Sequence, residues 1–275
     1  TGNDAIDDYR YSGTLIGGFE YPIGGTNGPG FTEDGGANPD LKWEEISILN
    51  VGLDIGIANN KFTASFEYFQ NRSDDLLVSL PTALSTGSNA GNRIANVGSL
   101  ETKGFEAVLG YNDSEGDFTW SANFNIGSSS NEVLFLGIDA FADPNNTMKD
   151  GNGIITNTSS GESIDHFYGF ISDGIYQNQA EVDAVFTANP GQTAVQPGDI
   201  RYKDINGDGD ITTGDDRVVL ANPLPDFTYG LNLSANYKNF DASLFITGVQ
   251  GVDIYNTNKY DLEGGAGRAF NGSPV

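Results

Sequence analysis

Cysteine is absent from the 275 residues, which excludes disulfide staples, thiolate metal centres and cysteine nucleophiles. Histidine occurs once, at His166, so a histidine-rich zinc site or a Ser-His-Asp triad has no raw material. Basic residues are scarce as well. Thirteen Lys and Arg stand against 38 Asp and Glu, a net charge of −25, and such a chain is repelled by nucleic acid. Long hydrophobic runs are also missing, and none approaches the ~20 residues of a membrane helix. That absence leaves membrane strands open, because ~9–11 residues of alternating pattern cross a bilayer without a hydropathy peak.

Glycine is plentiful, at 37 residues, while hydrophobic residues make up 37% and charged residues 19%; this balance favours turns and strands over helices. Period-two alternation then appears in three places. In KFTASFEYFQN, Phe62, Ala64, Phe66 and Tyr68 share one face; the preceding ISILNVGLDIGIA carries Ile46, Ile48, Val51, Leu53, Ile55 and Ile57 with a phase slip near Asn50. Asn59-Asn60 supplies turn chemistry between them, so the pair reads as a hairpin. A second hairpin joins GFEAVLGYN to DFTWSANFNIG, and a third joins TYGLNLSANY to FDASLFITG through Lys238-Asn239.

The face opposite the apolar one is small and neutral-polar. Thr119, Ser121, Asn123 and Asn125 back Trp120 and Phe124; Gly230, Asn232, Ser234 and Asn236 back Leu231 and Leu233. A solvated sheet would carry more Lys, Glu and Arg there, whereas a lipid-facing belt with a wet lumen behind it produces this division. The expected lipid-facing residues are Phe66, Leu109, Phe124, Leu233 and Leu244. Connections follow the same logic. Turns within hairpins are short, while those between hairpins span about 30 residues (Ser73 to Thr102) and about 100 residues (Ser128 to Phe227), as periplasmic turns and outer loops do.

The expected fold is therefore all-β, part of a large antiparallel transmembrane β-barrel with long extracellular loops. Six strands cannot close such a barrel, so the chain is expected to be a piece of a larger one. Residues 1–45 read as an outer loop and strand segment with a strand at Ser12 to Tyr21, and 46–127 as two membrane hairpins with one outer loop. Residues 128–226 read as a long outer loop, 227–249 as a third hairpin, and 250–275 as the start of another loop. The run GGTNGPG at Gly24 to Gly30 lacks the Lys-Ser/Thr of a phosphate loop and reads as a flexible loop.

Several segments resemble the SusC/RagA-like TonB-dependent outer-membrane transporters of the Bacteroidetes. They are NPDLKWEE (Asn38 to Glu45), EYFQNRSDDLL (Glu67 to Leu77), NVGSLETKGFE (Asn96 to Glu106), HFYGFISDGIYQ (His166 to Gln177), PGDIRYKDINGDGDIT (Pro197 to Thr212), DRVVLANPLPDFTYG (Asp216 to Gly230) and FDASLFITGVQGVDIYN (Phe240 to Asn256). The resemblance implies a bacterial outer-membrane importer of glycans or peptides, not an enzyme. It also implies a SusD-like surface lipoprotein as partner, a lipid bilayer around the barrel, and energy from the TonB system through parts of the protein outside these residues. The alternative from another class is a calcium-stiffened cell-surface or secreted β protein that binds glycans.

The sharpest local motif, Asp204 to Asp215, follows the DxNxDG register of an EF-hand loop with Asp in place of Glu at the twelfth position. It predicts a structural Ca²⁺ held by Asp204, Asn206, Asp208 and Asp215 through side chains and by Asp210 through its carbonyl, with Thr212 or its water completing the shell. A Gly/Asp-rich turn without metal remains the other reading. His166 reads as a loop residue packed beside Phe167 and Tyr168. The aromatics Phe135, Phe141, Phe167, Tyr168, Phe170 and Tyr176 read first as the small core of the long loop, and second as a surface for sugar rings or the lipoprotein.

Overall fold

Three tight turns set the order of the main sheet. Ala58, Asn59 and Asn60 all take positive φ (55°, 56° and 63°), a conformation that asparagine tolerates better than most residues, and Gly116 (85°) and Lys238 (54°) do the same in the other two turns. The structure is a computed structural model and describes residues 14–34, 37–81, 92–137, 149–150, 153–188, 195–212 and 214–256. A first hairpin pairs β1 (Thr14–Ile23) with β2 (Thr26–Asp34). Then come β3 (Glu45–Ile57), β4 (Phe62–Pro81), β5 (Asn92–Asp113) and β6 (Phe118–Leu136). The long connection holds the two-residue strands β7 (Lys149–Asp150), β8 (Gly153–Ile154) and β9 (Thr156–Asn157), followed by β10 (His166–Phe170) and β11 (Ser172–Ile175). It continues with α1 (Gln179–Ala188), β12 (Ile200–Tyr202) and β13 (Arg217–Ala221), and the last hairpin is β14 (Phe227–Tyr237) with β15 (Phe240–Gln250).

Six strands form one antiparallel sheet in the order β15-β14-β6-β5-β4-β3, so β14 returns beside β6 after the long excursion and the three predicted hairpins are adjacent. The register divides the faces. One row runs Ile55, Ala64, Leu109, Phe124, Leu231 and Ile246; the next, on the opposite face, runs Asp54, Ser65, Val108, Asn125, Gly230 and Thr247. Phe66, Leu233 and Leu244 fall on the first face with Leu109 and Phe124, as expected, and among the described residues no second layer covers them: Phe66 and Leu109 are each 45% exposed. Near the short turns that face ends in aromatics. Phe62 lies 4.7 Å from Tyr111, whose ring is 4.4 Å from Trp120, and Phe118 lies 6.5 Å from Tyr237. An apolar face bounded by an aromatic girdle is the lipid side of a barrel wall. The six strands are an unclosed arc of that wall.

Local details depart from expectation. The pattern change near Asn50 is not a bulge, for β3 pairs with β4 without a break from Glu45 to Ile57, and Ile46 and Ile48 fall on the face of Gly52 and Asp54. The run Gly24 to Gly30 is not a loose loop: Gly24 and Gly25, at φ 61° and 88°, make the turn and Thr26 onward is strand β2. The first strand is described from Thr14 and runs on past Tyr21 to Ile23; Ser12 lies outside the described residues. Much of the connection from Ser73 to Thr102 is ladder, since β4 and β5 stay paired out to Pro81 and Asn92. A double register shift around Leu76, with Asp75 at φ 55°, marks where that hairpin bends.

The long connection docks by extending the sheet. Where β14 stops, the edge of β6 is taken by residues 160–164: Val133 N–H donates to Glu162 O (2.8 Å), Gly161 N–H to Val133 O (2.7 Å), and Asn131 Oδ1 accepts Ile164 N–H (2.9 Å). Above this, β13-β10-β9 form a three-stranded sheet, and β11-β12 and β7-β8 form two-stranded ones. The buried residues Val133, Ile155, Thr156, Tyr176 and Val182 give this part its small core.

Candidate functional site

Residues 203–216 hang between β12 and β13, with Lys203 N–H donating to Ile171 O (2.9 Å) at the entrance. Within the loop every second side chain turns back on the chain. Asp204 Oδ1 accepts Gly207 N–H (2.6 Å) and its Oδ2 accepts Gly209 N–H (2.8 Å). Asn206 Oδ1 accepts Asp208 N–H (3.0 Å), and Asp208 Oδ1 accepts Asp210 N–H (2.8 Å). These Asx turns need left-handed backbone between them, supplied by Gly207 (φ 78°) and Gly209 (φ 87°). Asp215 bonds to Thr212, its N–H donating to Thr212 Oγ1 (3.2 Å) and its Oδ2 accepting from that hydroxyl (3.2 Å).

The carboxylate that closes the loop is Asp216, which the spacing argument did not select. It is fully buried, with Oδ1 accepting Ile205 N–H (2.8 Å) and Oδ2 accepting Thr212 N–H (2.7 Å), so it clamps the two ends of the turn together. The backbone N–H groups of Thr212 and Ile205 hold its carboxyl below the usual carboxylate range, against the opposing effect of burial. Its signal in the sequence was only its place after the twelfth position. The five predicted positions Asp204, Asn206, Asp208, Asp210 and Asp215 lie in one loop and offer oxygen donors alone, the chemistry a hard cation prefers. The side chains of Asp204, Asn206 and Asp208 are turned to the loop's own N–H groups, and among the described residues no three Asp, Glu or His side chains converge as a ligand set.

His166 is not a loop residue; it opens strand β10, is 1% exposed and stands 6.2 Å from the Tyr168 ring. Burial raises the Tyr168 hydroxyl above its ordinary pKa. Phe170 lies 5.1 Å from the Tyr202 ring, with the Arg217 guanidinium over its own ring at 5.1 Å, and Tyr176 is buried, which fits the core reading of the loop aromatics. Phe135 instead belongs to β6 and is exposed, and Phe141 lies outside the described residues. One helix was unforeseen. Asn178 caps α1 by accepting Glu181 N–H (3.1 Å), while Glu181 accepts from Asn178 Nδ2 (3.0 Å) and from Gln177 N–H (3.0 Å), a reciprocal cap written in the sequence as N-x-x-E.

Residues 5–256 match the family described as TonB dependent receptor-like, beta-barrel. TonB-dependent receptor P26 of Formosa agariphila is 35% identical over 259 residues, covering 93% of this chain and 25% of the relative. TonB-dependent receptor SusC of Bacteroides thetaiotaomicron is 30% identical over 211 residues, covering 75% of this chain and 19% of the relative. Among solved structures, the RagAB peptide transporter superposes with a TM-score of 0.62 at 22% identity, over 96% of this chain and 27% of that one. The open-open state of the RagAB peptide importer gives 0.67 at 21% identity, which shows the fold. The chain thus spans about a quarter of the length of such relatives. With a lipid-facing sheet, short turns at one end, long excursions at the other and a family match over nearly all its length, the chain belongs to the β-barrel of the TonB-dependent receptors, proteins of the bacterial outer membrane.

Proposed function

We propose that this chain serves as barrel wall and outer vestibule in an importer that takes up glycans or peptides with a SusD-like lipoprotein, powered through the TonB system. The observation that carries the reading is the six-stranded register, which gathers Ile55, Phe66, Leu109, Phe124, Leu231, Leu233, Leu244 and Ile246 on one face and leaves a predominantly polar face rich in Asn, Ser, Thr and Gly on the other. A secreted glycan-binding module has no use for so large an uncovered apolar face. Relatives named for TonB-dependent reception and, in one case, for peptide transport support the same reading. The chemistry required of these residues is passage and recognition rather than bond breaking, so no enzymatic role is assigned.

Within that importer, Asp204, Asn206, Asp208 and Asp215, with the Asp210 carbonyl, would hold Ca²⁺. The ion would neutralise acids crowded into one turn and fix the shape of the outer vestibule. The deciding experiment is uptake by the intact protein in its own cell. Deleting the gene should abolish growth on one class of glycan or peptide, disrupting TonB should have the same effect, and affinity purification should bring down a surface lipoprotein. Unimpaired uptake in both mutant strains would overturn the proposal.

A further inference from the structure

Where the long connection folds onto the upper part of β5 and β6 it leaves a cavity of about 270 Å³, walled by Glu101, Lys103, Ser130 and Glu132 from the strands and by Glu162 and His166 from the connection. Its position follows from register. The β5-β6 ladder has no shift between Glu101 and Asp113, so Glu101 and Lys103 share a face with Phe105 and Leu109, and Ser130 and Glu132 share one with Phe124. These four strand residues therefore stand on the membrane side of the wall, while Asn131, which also lines the cavity, alternates to the other face at its edge. Lys103 and Glu101 lie two and four residues above Phe105, roughly 7 and 13 Å along the strand, and strand tilt brings them down to the headgroup layer.

The chemistry of the lining is specific. His166 Nδ1 is 2.8 Å from the Ser163 carbonyl, which can only accept, so Nδ1 carries a proton and, in the tautomer that this bond selects, Nε2 is the acceptor nitrogen. That nitrogen is buried and finds no partner among the described residues. Glu101 already accepts from Gln70 (2.6 Å) and Lys103 (3.1 Å), while Glu132 and Glu162 stand exposed at the rim. Acceptors thus outnumber the single cation among the lining residues, Lys103, whose ammonium already lies 3.1 Å from Glu101 Oε1 and keeps donors to spare. A zwitterion with a protonated amine and a phosphate satisfies both parts.

We propose that this cavity seats the headgroup of a phosphoethanolamine-bearing membrane lipid, its ammonium facing Glu132, Glu162 and His166 Nε2 and its phosphate facing Lys103. Such a contact anchors the base of the long connection to the bilayer. The test uses the intact full-length protein in nanodiscs of equal parts phosphatidylethanolamine and phosphatidylglycerol, with retained lipid counted by native mass spectrometry. Retention should favour phosphatidylethanolamine by about tenfold, the effect of one charge-assisted hydrogen bond. Glu132→Gln with Glu162→Gln should erase the preference, and Asp117→Asn in the β5-β6 turn should leave it intact. His166→Gln should weaken it; if that variant misfolds, the rim pair still decides. Equal retention of the two lipids, or a preference that survives in the double variant, overturns the proposal. So does a preference lost on adding EDTA, which would mean a bridging metal, or equally tight binding of soluble O-phosphoethanolamine, which would mean a free ligand.

Discussion

The side-chain amide of Asn96 holds the backbone of Lys42 at both ends, Oδ1 accepting Lys42 N–H (2.8 Å) and Nδ2 donating to Lys42 O (2.9 Å). The same Nδ2 donates to Asp75 O (2.7 Å), at the residue whose positive φ bends β4. Nearby, Asn38 is buried with Nδ2 on Ile94 O (3.0 Å), and Glu44 Oε1 accepts Leu77 N–H (2.9 Å). The segments NPDLKWEE, RSDDLL and NVGS thus meet at one point. Their shared role is to strap the chain entering β3 across the bent β4-β5 hairpin. Asn96→Ala removes three hydrogen bonds, two of them open to solvent, and should cost about 1–2 kcal/mol, while Asn96→Asp keeps only the acceptor and should fall between. Urea unfolding of the intact protein in micelles, with hydrogen exchange at Lys42, measures both. An unchanged midpoint in the alanine variant would show that the strap is dispensable.

Lipid exposure should alternate residue by residue along β6. Phe124 sits opposite Leu109 and Leu231, whereas Asn123 sits opposite Gly110 and Asn232. A spin label at position 124 should relax strongly with dissolved oxygen and one at 123 with a water-soluble reagent, because the two side chains stand on opposite faces of the wall. Equal oxygen response at both sites would mean that the sheet is not a membrane wall.

The strands were legible where alternation is strict, as from Phe62 to Tyr68, because lipid and lumen select opposite residue types at a period of two. Above the membrane that selection ends. Arg72, Ser73, Asp74 and Asp75 carry no apolar rhythm, and Ser99 Oγ bonding Asp74 Oδ1 (2.6 Å) holds the ladder with polar contacts instead, so its continuation to Pro81 was hidden. Gly24 to Gly30 misled for a related reason: its glycines read as looseness, yet a two-glycine turn with pairing on both sides makes a hairpin. The acidic loop was legible as a turn through its Gly/Asp spacing. The role of Asp216 was not, since its selection depends on two N–H groups brought together only by the fold.

Asp216 gives the loop a defined acid limit. A carboxyl whose folded pKa lies below its unfolded value of about 3.9 contributes stability that is complete above that value and lost as pH falls through the lower folded one. Exchange protection of the Ile205 and Thr212 amides should accordingly hold from neutral pH to about pH 4 and collapse in stronger acid. Asp216→Asn should show weaker protection throughout, with the acid step removed. An acid step that persists in the asparagine variant would assign it to another group.

Calcium, if the acidic loop holds it, must compete with the turn's own hydrogen bonds. Both oxygens of Asp204 and one of Asp208 accept backbone N–H groups, so each carboxylate would ligate through its remaining lone pairs. Binding should therefore be structural, with the ion tightening a turn whose two ends Asp216 holds together. Calorimetry on the intact protein should detect one Ca²⁺ that disappears with Asp204→Ala plus Asp208→Ala and persists with Asp183→Ala on helix α1. Asp215→Glu, which restores the longer carboxylate at the twelfth position, should bind more tightly because two oxygens then reach the ion. Undiminished binding in the double variant would place the ion elsewhere, and no binding at millimolar calcium would leave the segment a metal-free turn held by its own amides.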